Sequence, residues 1–140
     1  FIVFDTKPTL GVLNFNIFVA SDYVIIPVEC SAYGVDGLGA ILKFFKSTQK
    51  VNKKLRIAGI SMQKVDIREI ITKDAIDVVK DMFGDIIFKT MIGIDTNVKK
   101  SQWDEVPLLF HSPSSRSSKQ YMELTKEVLA VVGKKEAINQ

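Results

Sequence analysis

Apolar, largely β-branched runs alternate along this chain with stretches whose apolar residues recur every three or four positions. Phe1 to Phe4 reads as a fully buried strand, Tyr23 to Val28 as a second, Arg56 to Met62 as a third and Ile86 to Ile92 as a fourth. Between them, Leu10 to Ala20 and Val35 to about Lys50 carry helical spacing, the latter through Val35, Leu38, Ile41, Leu42 and Phe45. Ile71, Ala75, Val78, Val79 and Met82 mark another helix, with Gly84 where a left-handed C-cap belongs. A short polar helix around Val98 to Trp103, a brief strand at Leu108 to Phe110 and a last helix follow. Ser117 and Gln120 are spaced as a capping box for that last helix, which buries Tyr121, Leu124, Val128 and Val131 and stops near Gly133. Strands alternating with helices predict βαβ units, hence an α/β fold with a mostly parallel sheet flanked by helices. Near-continuous apolar strands fit, because helices cover both faces of such a sheet.

At 46% hydrophobic and 25% charged residues, the 140-residue chain has an ordinary globular composition, which excludes disorder and low-complexity repeats. One domain is expected over residues 1–133, with 134–140 a frayed tail. The single cysteine, Cys30, allows no internal disulfide and points to a reducing, cytoplasmic compartment. Nineteen Lys and Arg against sixteen Asp and Glu give a net charge of +3, which permits a polyanionic partner without requiring one. Asp5 breaks the opening apolar run, so we expect no signal peptide there, and no run reaches the roughly eighteen residues of a membrane span. A chain that opens inside a strand is expected to be part of a longer protein.

Asp5 stands at the carboxyl end of the first expected strand, where open α/β sheets bind ligands. An apolar strand ending in Asp is also the Walker B arrangement, although many strands end in Asp simply to cap the next helix. Other chemistries find little support. Gly34, Gly37 and Gly39 have the wrong order for a dinucleotide fingerprint. Cys30 and the only histidine, His111, are expected to be a buried thiol and a surface ring rather than a catalytic pair, and they cannot make a zinc site. Trp103 is expected in core or interface. Lys43, Lys46, Lys50, Lys53 and Lys54 read as a solvated helix face.

The run Asp5-Thr6-Lys7-Pro8-Thr9-Leu10-Gly11, then Asn14, then Val19 to Val28 with its Ala20-Ser21-Asp22 and Ile26-Pro27, resembles the ParA/MinD family of deviant Walker ATPases, on its ParA branch. Tyr33 to Leu38, Gly59-Ile60-Ser61-Met62 and Ser118 to Glu127 continue the resemblance in order. It implies the C-terminal part of a P-loop NTPase domain that lacks its P-loop, from an ATP-dependent protein of chromosome or plasmid partitioning. Such proteins bind ATP and Mg²⁺, dimerise, bind DNA non-specifically on the nucleoid and hydrolyse ATP when a ParB-type partner stimulates them. By position, the resemblance makes Asp5 the catalytic Walker B carboxylate that reaches Mg²⁺ through water. Thr6 to Gly11, with Thr6, Pro8 and Gly11 as candidates, becomes the switch that senses the γ-phosphate. Met62 and Gln63 fall on the adenine side.

Three departures stand out. Lys7 replaces the first of two prolines, which loosens the switch. Gln63-Lys64 replace an aromatic-Asp pair. None of the eight glycines belongs to a G-x-x-x-x-G-K-[ST] phosphate loop, so these 140 residues alone are expected to bind ATP weakly or not at all, to hold no magnesium and to hydrolyse nothing. Lys99, Lys100, Arg116 and Lys119 are the candidate DNA contacts, with solvation as the alternative. Two rival functions remain open: an interaction or dimerisation module without a P-loop, and a MinD-like positioning ATPase. The second calls for an amphipathic membrane-targeting end, whereas Gly133 to Gln140 holds one large apolar residue, so no membrane partner is expected.

Overall fold

In the computed structural model, which describes residues 1–133 (the backbone alone for Ala32, Tyr33, Val35 and Asp36), a βαβ unit forms the centre. Helix α1 (Val12–Ala20) leads into strand β1 (Tyr23–Glu29), helix α2 (Ala32–Gln49) and strand β2 (Arg56–Gln63). Helix α3 (Ile70–Phe83), a 3₁₀ turn at Gly84–Ile86, and helices α4 (Thr96–Trp103), α5 (Leu108–His111) and α6 (Arg116–Gly133) follow. β1 and β2 pair in parallel, with Ile26 opposite Ile60 and an irregularity between Val24 and Ile25. The expected tail at 134–140 lies outside the described residues, as do the side chains of Tyr33, Val35 and Asp36 in the family-like stretch that opens α2.

Burial follows position in the sheet. Ala58 to Met62 of β2 are all buried, as befits a strand covered on both faces. β1 buries only Val24, Ile26 and Val28, and its Ile25 is 44% exposed. Phe18, Leu38, Phe45, Leu55 and Val79 complete the core from the helices and the turn before β2. Phe44 of α2 meets Phe15 and Phe18 of α1 edge-on, with ring centroids 6.3 and 5.3 Å away. Gly59 has a packing reason: a Cβ there would lie 2.5 Å from the Phe88 ring, which rests on β2.

Several expected elements change form. Phe1 to Phe4 make no strand, and Phe1 is 93% exposed. No described segment offers them a ladder, and an apolar strand is held by its neighbours. The fourth strand is reduced to two parallel bridges, Ile60 with Ile87 and Val65 with Gly93. Phe88 and Ile92 donate to the carbonyls of Ile60 and Met62, both at 2.9 Å. Thr90, between them, donates to Glu127 of α6 at 2.8 Å instead, so the side chain of a helix interrupts the ladder. Leu108 to Phe110 is one helical turn, because Pro107 (φ −54°) presets the entry and its carbonyl accepts from Phe110 and His111 at 2.9 and 3.0 Å. Gly84 has φ +50° but ψ −123°, outside the left-handed helical well. Ser115, rather than Ser117, caps α6: its hydroxyl accepts from the Ser118 amide at 3.2 Å. Gln120 is used elsewhere, accepting from the Gly93 amide at 3.0 Å. Trp103 is 89% exposed.

Candidate functional site

Because β1, β2 and the segment through Ile87 and Gly93 run parallel, their carboxyl ends share one edge. Ligands bind at that edge in open α/β sheets. Directly past β2, Lys64 takes φ +54° and its ammonium pairs with Glu29 at the end of β1, at 2.5 Å. The chain then turns through Asp66, whose carboxylate holds Arg68 from two sides. Oδ1 accepts from Nε at 2.8 Å and Oδ2 from Nη2 at 2.5 Å. The Arg68 guanidinium and amide beside it hold the Asp66 carboxyl at about 2, below the usual carboxylate range.

This ion pair lines a cavity of about 530 Å³ together with Val65, Gly93, Arg116 and Gln120. The Arg116 guanidinium lies over Gly93, where a Cβ would come within 3.1 Å of it, and it donates to the Ile94 carbonyl. Gly93 therefore provides the clearance that lets a guanidinium lie against the backbone. Asp95 fixes the same corner: it caps α4 by accepting from the Asn97 amide at 2.9 Å and accepts from the Ser117 amide of α6 at 3.1 Å. Those bonds, Asn97 first, lower its pKa. The site thus offers two guanidinium groups, one already paired, around a space within the usual size range of small-molecule sites.

The residues singled out from sequence fall in three places. Asp5, Thr6, Pro8 and Gly11 are exposed along the segment before α1. Met62 is 1% exposed, inside the core beneath the edge. Gln63 is half-buried and donates to the Ser61 hydroxyl at 2.6 Å, while its carbonyl accepts from Tyr121 at 3.4 Å. Lys99 and Lys100 are exposed on α4, and Arg116 and Lys119 at the start of α6, with Arg116 turned into the cavity. Sequence reasoning misses Asp66, Arg68 and Gly93 here, and reads Gln120 only as a capping residue. The one available signal was a carboxylate and a guanidinium two residues apart just after a strand.

Cys30 is half-buried, and burial pushes its thiol up. His111 is no surface ring. It is half-buried, with Nε2 against Asp104 at 2.9 Å and Nδ1 against the Ser112 hydroxyl at 2.8 Å, so neither nitrogen serves Cys30. Among the described residues, no group of three or more His, Cys, Asp or Glu is arranged to hold a metal, and no helix is long and apolar enough to cross a membrane.

A family model described as an AAA domain matches residues 1–57. The sporulation initiation inhibitor protein Soj of Bacillus subtilis (strain 168) is 34% identical over 131 residues, covering 93% of this chain and 52% of that protein. The chromosome-partitioning ATPase Soj of Treponema pallidum (strain Nichols) is 28% identical over 136 residues, 96% of this chain and 54% of its own length. The chain therefore spans about half the length of the curated relatives it matches. Among solved structures, cobyrinic acid a,c-diamide synthase from Mycobacterium smegmatis shares the fold, with a TM-score of 0.62 at 23% identity over 81% of this chain and 40% of that one. The same synthase with bound ADP and magnesium matches at a TM-score of 0.57 and 25% identity, over 79% of this chain and 46% of that one. An α/β chain with a parallel sheet, matched over nearly its whole length by proteins named Soj and ParA, belongs to the ParA family.

Proposed function

We propose that residues 1–133 are the C-terminal part of the ATPase domain of a chromosome- or plasmid-partitioning protein, and that the cavity between Asp66–Arg68 and Arg116 receives the base end of its nucleotide. The observation that carries this reading is a cavity of small-molecule size at the carboxyl edge of a parallel sheet, in a chain related to partitioning ATPases. Met62 and Gln63, the adenine-side candidates, end the strand that leads to this cavity without lining it.

The residues present fit magnesium in one way. Asp5 offers a lone exposed carboxylate, with no metal-holding cluster among the described residues. That suits an ion bound mainly through nucleotide phosphates and water, and not one caged by protein. Magnesium bound in this manner would neutralise phosphate charge, with Asp5 reaching it through water. Thr6, Pro8 and Gly11 then belong to the segment that follows the terminal phosphate.

The phosphate cradle is not among these residues, so the whole protein is the active form. In it we place a homodimer, non-specific DNA contact through Lys99, Lys100, Arg116 and Lys119, stimulation by a ParB-type partner, and a cytoplasmic, nucleoid-associated life. The test is titration of labelled ATP with magnesium. The 140-residue chain is expected to bind weakly and to show no turnover. In the whole protein, Asp5→Ala abolishes hydrolysis, and Arg68→Ala weakens binding of the nucleotide. Micromolar affinity or turnover in the isolated chain would overturn the assignment, as would full activity in Asp5→Ala. An interaction module without nucleotide chemistry would show no ATP binding in either form.

A further inference from the structure

Asn14 lies in the first turn of α1, yet its side chain serves the loop before the helix. It is 5% exposed, and a buried carboxamide has to find partners. Its Nδ2 donates to the carbonyls of Lys7 and Thr9, both at 2.7 Å. Two carbonyls that flank Pro8 are thus gathered onto one amide. The Gly11 amide closes the same loop onto the Thr9 carbonyl at 3.0 Å, and the Gly11 carbonyl receives the first helical bond, from Phe15 at 2.9 Å.

The helix that carries Asn14 is itself anchored. At its far end Asn52, in the turn before β2, donates to the carbonyls of Val19 and Ser21 at 3.0 and 2.8 Å. Along its length Phe15 and Phe18 pack on Phe44 of α2. α1 is therefore a platform fixed to the βαβ unit, and a bond from Asn14 places the loop relative to the sheet rather than only to its own helix. The loop needs such a constraint, because Lys7 leaves free a φ angle that a proline would fix.

We propose that Asn14 is a positioning residue that sets the conformation of Lys7 to Thr9, and through it the response of the segment after Asp5 to nucleotide. The second half of this statement rests on the reading of Thr6 to Gly11 given above. The experiment compares the whole protein with Asn14→Leu, which keeps size and helix but removes both donors, and with the isosteric Asn14→Asp, which when ionised only accepts. Exchange of the Gly11 amide, which closes the loop onto the Thr9 carbonyl, is expected to quicken about tenfold in both variants when followed by NMR, while the amides of residues 12–20 and 56–63 keep their rates. Turnover of ATP is expected to fall about tenfold at unchanged KM, and adding Lys7→Pro to Asn14→Leu is expected to restore part of it.

Unchanged exchange of the Gly11 amide overturns the proposal. So does equal quickening across α1, which would make Asn14 a helix-stabilising residue only. If the leucine variant does not fold, the aspartate variant carries the same comparison. Faster exchange at Gly11 with unaltered turnover would leave the clamp standing and remove the nucleotide-sensing role of the segment.

Discussion

Asp66 and Arg68 show how a local pair organises the edge of the sheet. Their chelate closes a turn between β2 and α3 and presents a guanidinium to the cavity, although an exposed pair of this kind adds little to global stability. The Asp66 carboxyl titrates near 2 in the fold and near 3.9 in an unfolded chain. A depressed folded value means that the pair's contribution is fully present above about pH 4 and is lost as pH falls through about 2. Carbon-detected NMR of the Asp66 carboxyl is expected to show that low midpoint, and Arg68→Gln is expected to raise it towards the ordinary aspartate value. A midpoint near 4 in the unaltered chain would mean that the chelate does not form in solution. This pair was hard to find from sequence, because an Asp and an Arg two residues apart are common on surfaces. Only the turn that follows β2, and Arg116 arriving from α6, give it a cavity to face. Met62 and Gln63 were legible as the end of a strand, but the open space begins with Val65, after the Lys64 turn.

At the level of elements, the central βαβ unit was readable because β1, α2, β2 and α3 each carry a clean apolar period, and tertiary packing agrees with it. The misses lie where a partner from far along the chain decides the outcome. Glu127 is the clearest case. Its carboxylate accepts from the amides of Lys89 and Thr90 at 2.7 and 2.8 Å, and so turns an expected strand into two isolated bridges. Nothing within Ile86 to Ile92 announces a carboxylate thirty-odd positions on. Burial pushes the Glu127 carboxyl up, but the bonds from Thr90 and Lys89 outweigh it and the net shift is down. Glu127→Ala leaves the part-buried Thr90 amide without its acceptor, while water replaces it at the exposed Lys89 amide, and is expected to cost about 1 kcal/mol in urea unfolding. Glu127→Gln, which keeps a carbonyl acceptor, is expected to cost less than half as much. Equal losses would indicate that charge, and not the hydrogen-bond geometry, holds the segment. Phe1 to Phe4 failed differently: their composition suits a buried strand, but no described segment lies alongside them.

For the whole molecule, family membership was legible because ordered short stretches, none decisive alone, run in register along the chain. The distribution of positive charge was legible only as two alternatives, solvation or phosphate contact. Lys99 and Lys100 project from α4, and Lys119 from the first turn of α6, two helices that Asp95 ties together through Asn97 and Ser117. These three lysines therefore sit on one rigid corner, whereas Lys43, Lys46 and Lys50 are spread along the exposed side of α2. Arg116 belongs to the same corner, but its guanidinium is engaged with Ile94 at the cavity. If the corner contacts phosphates, the whole protein with ATP is expected to bind duplex DNA with little sequence preference, because backbone contacts do not read bases. Each of Lys99→Gln, Lys100→Gln and Lys119→Gln is expected to flatten the slope of log affinity against log salt by about one, since one fewer counterion is released. Arg116→Gln is expected to flatten it less and to weaken nucleotide binding more. Replacing Lys43, Lys46 and Lys50 together with glutamine is expected to leave the slope almost unchanged. Fluorescence anisotropy with two unrelated duplexes, from low to physiological salt, measures all of these. A slope carried by the α2 trio would move the DNA surface to that helix, and strong discrimination between the duplexes would mean that base edges are read.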